Sequence, residues 1–379
     1  MTKSKVVSIV GTRPEVIKMA PVALELDRRR CEFEHVLVTT SQHREMLFPA
    51  LDMFGLTPEV DLELMEPNQT LGSFASRSLS SLSHLFTKLK PDIILIQGDT
   101  TTVMTAALAA FYLGVGVGHV EAGLRSFQRR NPFPEEINRR IAGCVADLHF
   151  APTERARDNL LREGVSAGDV FVTGNTIVDA LQSIPPLEIF DEPRLGSIDY
   201  ENSRVLLVTA HRRENHGPNL KAICTALKML VSRFDYLEIV FPVHLNPNVR
   251  GMVYEELGQT RGIHLTAPVS YRDLLGIMSR CYLILTDSGG IQEEAVSFHK
   301  PVLVLREVTE RPEVVEVGAG KVIGVSTQNI IDEVSDLLTN QQRYRQMSTA
   351  RNPFGDGHAA QRIVDILAER LNRLAPAPL

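Results

Sequence analysis

Asp287-Ser288-Gly289-Gly290-Ile291-Gln292-Glu293-Glu294-Ala295 follows the apolar run Tyr282-Leu283-Ile284-Leu285-Thr286. The run is continuous rather than alternating, so it reads as a parallel strand buried on both faces. The paired glycines let the backbone turn tightly and come close to a ligand. A helix begins at once, and its unpaired N–H groups and positive dipole end open into the loop, an arrangement suited to a phosphate. Glu294 falls about one turn into that helix, where a carboxylate accepts hydrogen bonds from a ribose diol.

Working outward, the same strand–loop–helix unit recurs. Downstream, Val302–Leu305 runs into Arg306-Glu307-Val308-Thr309-Glu310-Arg311-Pro312. Upstream, Val205–Thr209 ends in His211-Arg212-Arg213, Leu237–Phe241 in Pro242-Val243-His244, and Ile263–Thr266 in Ala267-Pro268-Val269. Before these lies a second alternating series. Its strands are Lys5–Val10, Glu34–Thr39, Asp92–Ile96, Gly116–Val120, His149–Ala151 and Asp169–Val172, with a long helix over Leu71–Leu89. Alternation of this kind predicts α/β architecture with parallel sheets covered on both faces. Ser183–Ser203, with its three prolines, reads as a linker. The expected organisation is a Rossmann-like domain over 1–182, the linker over 183–203 and a second Rossmann-like domain over 204–355. A terminal helix over 356–373 is expected to return to the first domain. The two domains are expected to face each other across a central cleft.

At 379 residues two domains are the prior, and 44% hydrophobic with 23% charged residues is ordinary for a globular enzyme. A net charge of −6 with mixed signs gives no basic face for nucleic acid. No apolar run approaches the length of a membrane span, and the N-terminus lacks a signal-peptide core. Cys31, Cys144, Cys224 and Cys281 have no zinc or redox spacing. The expectation is a cytoplasmic protein with free thiols, no membrane association and no metal motif.

In open parallel sheets ligands bind beyond the carboxyl ends of the strands. Asp99, Glu121 and, one loop on, Glu135 all fall there, and together they predict a carboxylate-lined site. Glu135 sits in a first helical turn, where the dipole favours the ionised form. Arg13, at the mouth of the first helix, and Lys18, about a turn later, oppose that helix's dipole and suit a bound anion. His211-Arg212 adds imidazole and guanidinium at another strand end. This layout fits a nucleoside diphosphate carrying a neutral group worked on by acid and base, that is, a nucleotide sugar.

Seven motifs stand in order: Gly11-Thr12-Arg13-Pro14-Glu15, Gln42-His43-Arg44-Glu45-Met46, His119-Val120-Glu121-Ala122-Gly123-Leu124-Arg125, His211-Arg212-Arg213-Glu214, Pro242-Val243-His244-Leu245-Asn246-Pro247, Thr286 to Ala295, and Glu310-Arg311-Pro312. With them the chain resembles, over essentially its whole length, the non-hydrolysing UDP-N-acetylglucosamine 2-epimerases. The resemblance implies a GT-B fold and a cytoplasmic homodimer that feeds surface-polysaccharide synthesis. It further implies interconversion of UDP-GlcNAc and UDP-ManNAc with no cofactor and no metal. By position it suggests that Arg13, Lys18, Val269, Leu274, Ser288, Gly289, Gly290, Glu294 and Arg311 bind the UDP-sugar. Asp99, Glu121, Glu135 and His211 would carry the catalysis. Gln42, His43, Arg213 and His244 fit the second, activating UDP-GlcNAc site that some members have. Asn68 stands where some members carry a basic residue, which implies weakened activation.

Other readings remain open at this stage: a hydrolysing 2-epimerase that releases UDP and ManNAc, an epimerase of a modified UDP-sugar, a GT-B glycosyltransferase, and a catalytically silent nucleotide-sugar sensor. The transferase would need an acceptor motif, and the sensor would not need three carboxylates. Val269 and Leu274 depart from the Gln and aromatic residue frequent in the family, and Val296 and Phe298-His299 also depart from its pattern.

Overall fold

The computed structural model describes residues 3–41, 44–185 and 187–374. The chain divides into two compact units, Met1–Ile184 with Phe354–Leu379, and Pro185–Pro353. The first contains a seven-stranded sheet of β1 (Ser4–Val10), β2 (Phe33–Thr39), β3 (Val60–Asp61), β4 (Ile93–Gln97), β5 (Gly116–Val120), β6 (Leu148–Ala151) and β7 (Val170–Val172). The second contains six strands: β8 (Arg204–Thr209), β9 (Leu237–Pro242), β10 (Ile263–Thr266), β11 (Leu283–Thr286), β12 (Val302–Val304) and β13 (Gly320–Val322). Every pairing is parallel. Each unit is therefore a Rossmann-like α/β sheet, as the alternation predicts. Two short strands, β3 and β13, escape the sequence reading because neither is long enough to show a pattern.

The strand orders are β3-β2-β1-β4-β5-β6-β7 and β10-β9-β8-β11-β12-β13. Chain direction across the sheet reverses between β1 and β4 in one unit and between β8 and β11 in the other. At such a switch point the loops leave the strands in opposite directions and open a crevice. The loops concerned begin at Gly11 and Gly98 in the first unit, and at Ala210 and Asp287 in the second. All four carry residues singled out above: Arg13, Asp99, His211-Arg212 and Asp287-Ser288.

Helix packing explains the composition around the first crevice. Thr101–Tyr112 is rich in alanine, and Ala106, Ala107, Ala109 and Ala110 are fully buried beside Ile94, Ile96, Phe86 and Leu82. Small side chains let this helix lie close to the sheet and to Leu71–Leu89. Burying each large apolar residue contributes roughly 1.5–3 kcal/mol. Gly11 lies beneath the buried Thr40 and Thr102, whose hydroxyls are 2.9 Å apart; a Cβ there would come within 2.5 Å of both oxygens.

Of the stretch 183–203, expected as a linker, Ser183 closes a helix of the first unit and 185–203 belongs to the second. Its apolar residues are spaced so that Leu187 and Phe190 lie over Gly276, Phe190 stacks on Tyr200 at 5.8 Å, and Leu195 is fully buried in a short helix, Pro193–Gly196. The buried Asp273 carboxylate accepts from the backbone N–H groups of Asp191 and Glu192 at 2.8 and 3.0 Å. Prolines suppressed the helical signal, but the segment is anchored. The terminal helix Ala359–Leu374 lies in the first unit, where Asp179 accepts from Ala360 N at 2.8 Å.

Gly123 tests the packing behind β5. Its φ is +88°, and a Cβ would stand 2.2 Å from the carbonyl oxygen of Ala156. Gly123→Ala is expected to destabilise the protein by ~3 kcal/mol, combining left-handed strain with a backbone clash. Urea denaturation checks this; a midpoint equal to wild type contradicts the packing described.

Candidate active site

The first helix, Arg13–Arg28, begins at the switch point with Thr12 as its N-cap. Glu15 completes a capping box: its Oε2 accepts from Gly11 N at 2.5 Å and Thr12 N at 2.9 Å, and its Oε1 accepts from the Thr100 hydroxyl. One buried carboxylate thus ties the loop after β1 to the loop after β4. Burial pushes Glu15 up to about 7 against the pull of these donors. Arg13 is the first helical residue, with a half-buried side chain.

Glu121 leaves β5 with φ +62°, a left-handed conformation unusual for a residue other than glycine. Its carboxylate receives three donors. Lys18 Nζ and Asn175 Nδ2 (3.1 Å) bond Oε1, and Gln97 Nε2 bonds Oε2. Lys18, expected to hold phosphate, is thus placed on Glu121. Asp99, after β4, receives Arg139 through Nε at 3.1 Å and through Nη2 to the same oxygen, while Asn138 Nδ2 bonds the Asp99 carbonyl at 3.0 Å. Glu135 opens the helix that carries both residues, and Glu136 beside it accepts from Ser126 N and Phe127 N. Asp99 and Glu121 therefore sit at the ends of adjacent strands, each with its own cation.

In the second unit Asp287 is the organising group. Its Oδ2 accepts from His211 N, Arg212 N and Asn215 Nδ2, each at 2.9 Å. His211 Nδ1 lies 3.0 Å from Oδ1, which leaves the other ring nitrogen on the exposed side. Burial would raise the Asp287 carboxyl, but His211 and the backbone donors hold it below its usual range. His244, exposed and expected at an activating site, stacks on the His211 ring at 5.8 Å.

Gly289–Ser297 is the helix anticipated after β11, and no side chain caps it at Ser288. Gly289 is buried and Gly290 exposed. A Cβ on Gly289 would stand 3.7 to 4.0 Å from atoms of Glu310, Arg212 and Arg311, so three charged groups converge on this helix start. Arg212 bonds Glu310 at 3.0 Å, Arg306 bonds Glu214 at 2.6 Å, and Arg311 bonds the buried Glu293. Glu294, buried further along, accepts from the Tyr271 hydroxyl at 3.0 Å. Val269 and Leu274 are half-buried on either side of Tyr271. Gln42 and His43 lie outside the described residues, as does the Arg213 side chain.

Comparison with known proteins shows the family. The family model described as UDP-N-acetylglucosamine 2-epimerase matches residues 25–368. The chain belongs to the UDP-N-acetylglucosamine 2-epimerase family. It is 47% identical to the Bacillus subtilis UDP-N-acetylglucosamine 2-epimerase over 367 residues, covering 97% of this chain and 96% of that one. The Neisseria meningitidis UDP-GlcNAc 2-epimerase crystal structure, bound to UDP-GlcNAc, has a TM-score of 0.89 and 44% identity, covering 96% of this chain and 100% of its own. The Methanocaldococcus jannaschii enzyme in complex with UDP-GlcNAc and UDP has a TM-score of 0.78 at 34% identity, covering 96% and 99%.

Several residues of this family member escaped the sequence reading: Glu15, Gln97, Arg139, Asn175, Tyr271 and Asp287. Gln97 carried a usable signal, a polar residue closing the otherwise apolar Ile93–Ile96. Asn175 carries only the signal of a helix cap, which it also is, before Thr176–Ser183. Arg139 had no local signal beyond lying one turn after Glu135.

His119, two residues before Glu121, is fully buried and donates from Nε2 to the Gly98 carbonyl at 2.8 Å. Burial depresses it to about 3. The unfolded chain, near its ordinary 6.5, binds a proton that the folded chain refuses, so this contribution is whole above pH 6.5 and is lost as pH falls towards 3. His119→Gln, which keeps a donor and cannot titrate, is expected to show a shallower loss of stability across that window. Denaturant midpoints from pH 7 to 4 check this; parallel curves for both proteins contradict it.

Proposed function

We propose that this chain interconverts UDP-N-acetylglucosamine and UDP-N-acetylmannosamine without hydrolysis, through a glycal intermediate. The observation that supports this most is the pair of carboxylates at adjacent strand ends, Asp99 and Glu121, each matched by its own cation. The uncapped helix start beside Arg212 and Arg311 adds a seat for the diphosphate. The titles of the Neisseria and Methanocaldococcus structures name UDP-GlcNAc and UDP as their ligands, the same chemistry.

The sugar C2–H has no neighbouring carbonyl and is a poor acid. Departure of UDP from C1 changes that. The C1–O bond breaks with its electron pair going to the diphosphate, a base takes the C2 proton, and C1=C2 forms. On return, a proton is delivered to the opposite face of C2 and the diphosphate oxygen re-forms the bond to C1. The amides of Gly289 and Gly290 and the Arg311 guanidinium stabilise the leaving diphosphate, and Arg13 is a further cation suited to it. Glu294, braced by Tyr271, holds the ribose. Asp99, Glu121 and Glu135 provide acid and base on the two faces of C2, and His211, oriented by Asp287, contacts the sugar-phosphate junction.

Proton NMR of the protein with UDP-GlcNAc in D2O is the direct test. UDP-ManNAc should appear, with loss of the C2 proton signal in both sugars. UDP with free ManNAc would move the protein to the hydrolysing class, and an unchanged spectrum would overturn the reading. Asp99→Asn, Glu121→Gln and Glu135→Gln should each lower kcat by roughly 100-fold or more while UDP binding survives in calorimetry; near-wild-type rates in all three would refute the assignment. The reading keeps weakened activation: reverse-reaction rates should be hyperbolic in UDP-ManNAc with no UDP-GlcNAc added, and an absolute requirement for UDP-GlcNAc would contradict it.

A further inference from the structure

Glu121 holds a conformation that it would not adopt unaided. A left-handed backbone costs a residue of this kind about 1–2 kcal/mol, and strain of this sort persists only where the surroundings impose it. Three donors from three separate elements do so here. Lys18 comes from the first helix, Gln97 from the end of β4, and Asn175 from the cap of the helix after β7. Gln97 is 3% exposed and Asn175 2% exposed, so neither carboxamide is an ordinary solvated surface group.

The arrangement of these donors is specific. Lys18 and Asn175 both approach Oε1, and a carboxylate tethered at one oxygen still rotates about its last bond. Gln97 holds Oε2 and stops that rotation. Both carboxamides donate without bringing charge and cannot lose the donated proton, so their grip does not vary with pH. Lys18 brings a positive charge to the carboxylate. Asn175 is also a junction. Its Oδ1 accepts from Ile177 N at 3.0 Å to cap Thr176–Ser183, and its backbone N donates to Phe354 O at 2.7 Å, where the chain re-enters this unit.

We propose that Gln97 and Asn175 are positioning residues of the epimerisation, a carboxamide clamp that fixes the orientation of Glu121 and keeps it a hydrogen-bond acceptor. This rests on the function proposed above. The clamp acts on turnover rather than on nucleotide binding, because neither residue belongs to the unit that holds the glycine loop.

Two variants test it against wild type. Asn175→Ser retains a good helix cap but is too short to reach Glu121. Its kcat should fall on the order of tenfold, the worth of one hydrogen bond to a charged group. KM and UDP affinity should stay within about twofold, and the melting temperature near that of wild type, since the cap is kept. Gln97→Glu is nearly isosteric and places a second carboxylate against Glu121. The acid limb of its kcat profile should move up by about one pH unit or more. It touches no helix cap, so it carries the test if Asn175→Ser misfolds. An active wild type with kcat unchanged and the acid limb unshifted in the variants overturns the clamp alone. A wild type inert towards UDP-GlcNAc overturns the proposed function, and the clamp with it.

Discussion

A carboxylate buried at the end of a strand must be given donors, because an unpaired buried charge is too costly to keep. Three acids impose that demand here. Asp287 draws in the backbone of His211 and Arg212, so the loop after β8 takes its shape from an acid on β11. Glu15 does the same for Gly11, Thr12 and Thr100 across β1 and β4. Glu121 gathers Lys18, Gln97 and Asn175. Asp287 and Glu15 satisfy themselves by fixing loops that meet at a switch point, and Glu121 by joining the first helix, the end of β4 and the cap after β7, so the site is shaped by the need to pair buried acids.

Cations gathered to receive an anion repel one another, and the second unit answers this with interleaved acids. Glu310 lies between Arg212 and Arg306, Glu214 is on Arg306, and Glu293 is beneath Arg311. Burial would raise the Glu310 carboxyl, but Arg212, Arg311 and Arg306 together hold it below its usual range. Arg212 and Arg311 are thereby held by acid partners beside Gly289, which reduces the ordering that a diphosphate would otherwise require of them.

Much of the fold was legible because its signals are local. An apolar run followed by Gly-Gly, or an apolar run ended by an acid, is read within ten residues, and the strand-end rule then locates Asp99, Glu121 and Ser288. Strands β3 and β13 and the anchored stretch 185–203 were hidden, the latter because prolines mask helix and because its partner Asp273 lies about eighty residues away. The site partners were hidden for the same reason of distance. Lys18 is 103 residues from Glu121, Asn175 is 54, and Arg139 is 40 from Asp99. Side chains that meet only after the sheet assembles leave no mark on the sequence near either one. Lys18 shows the effect: beside Arg13 in the sequence it reads as a phosphate ligand, and its contact with Glu121, just after β5, leaves no local trace.

The left-handed backbone at Glu121 has a consequence for how this protein tolerates change. Glycine at that position would relieve the strain but would leave the buried carboxamides of Gln97 and Asn175 without their shared acceptor. The same substitution deletes the carboxylate. Backbone relaxation and the loss of buried partners therefore oppose each other, so the strained glutamate is retained by the polar groups around it as well as by the chemistry.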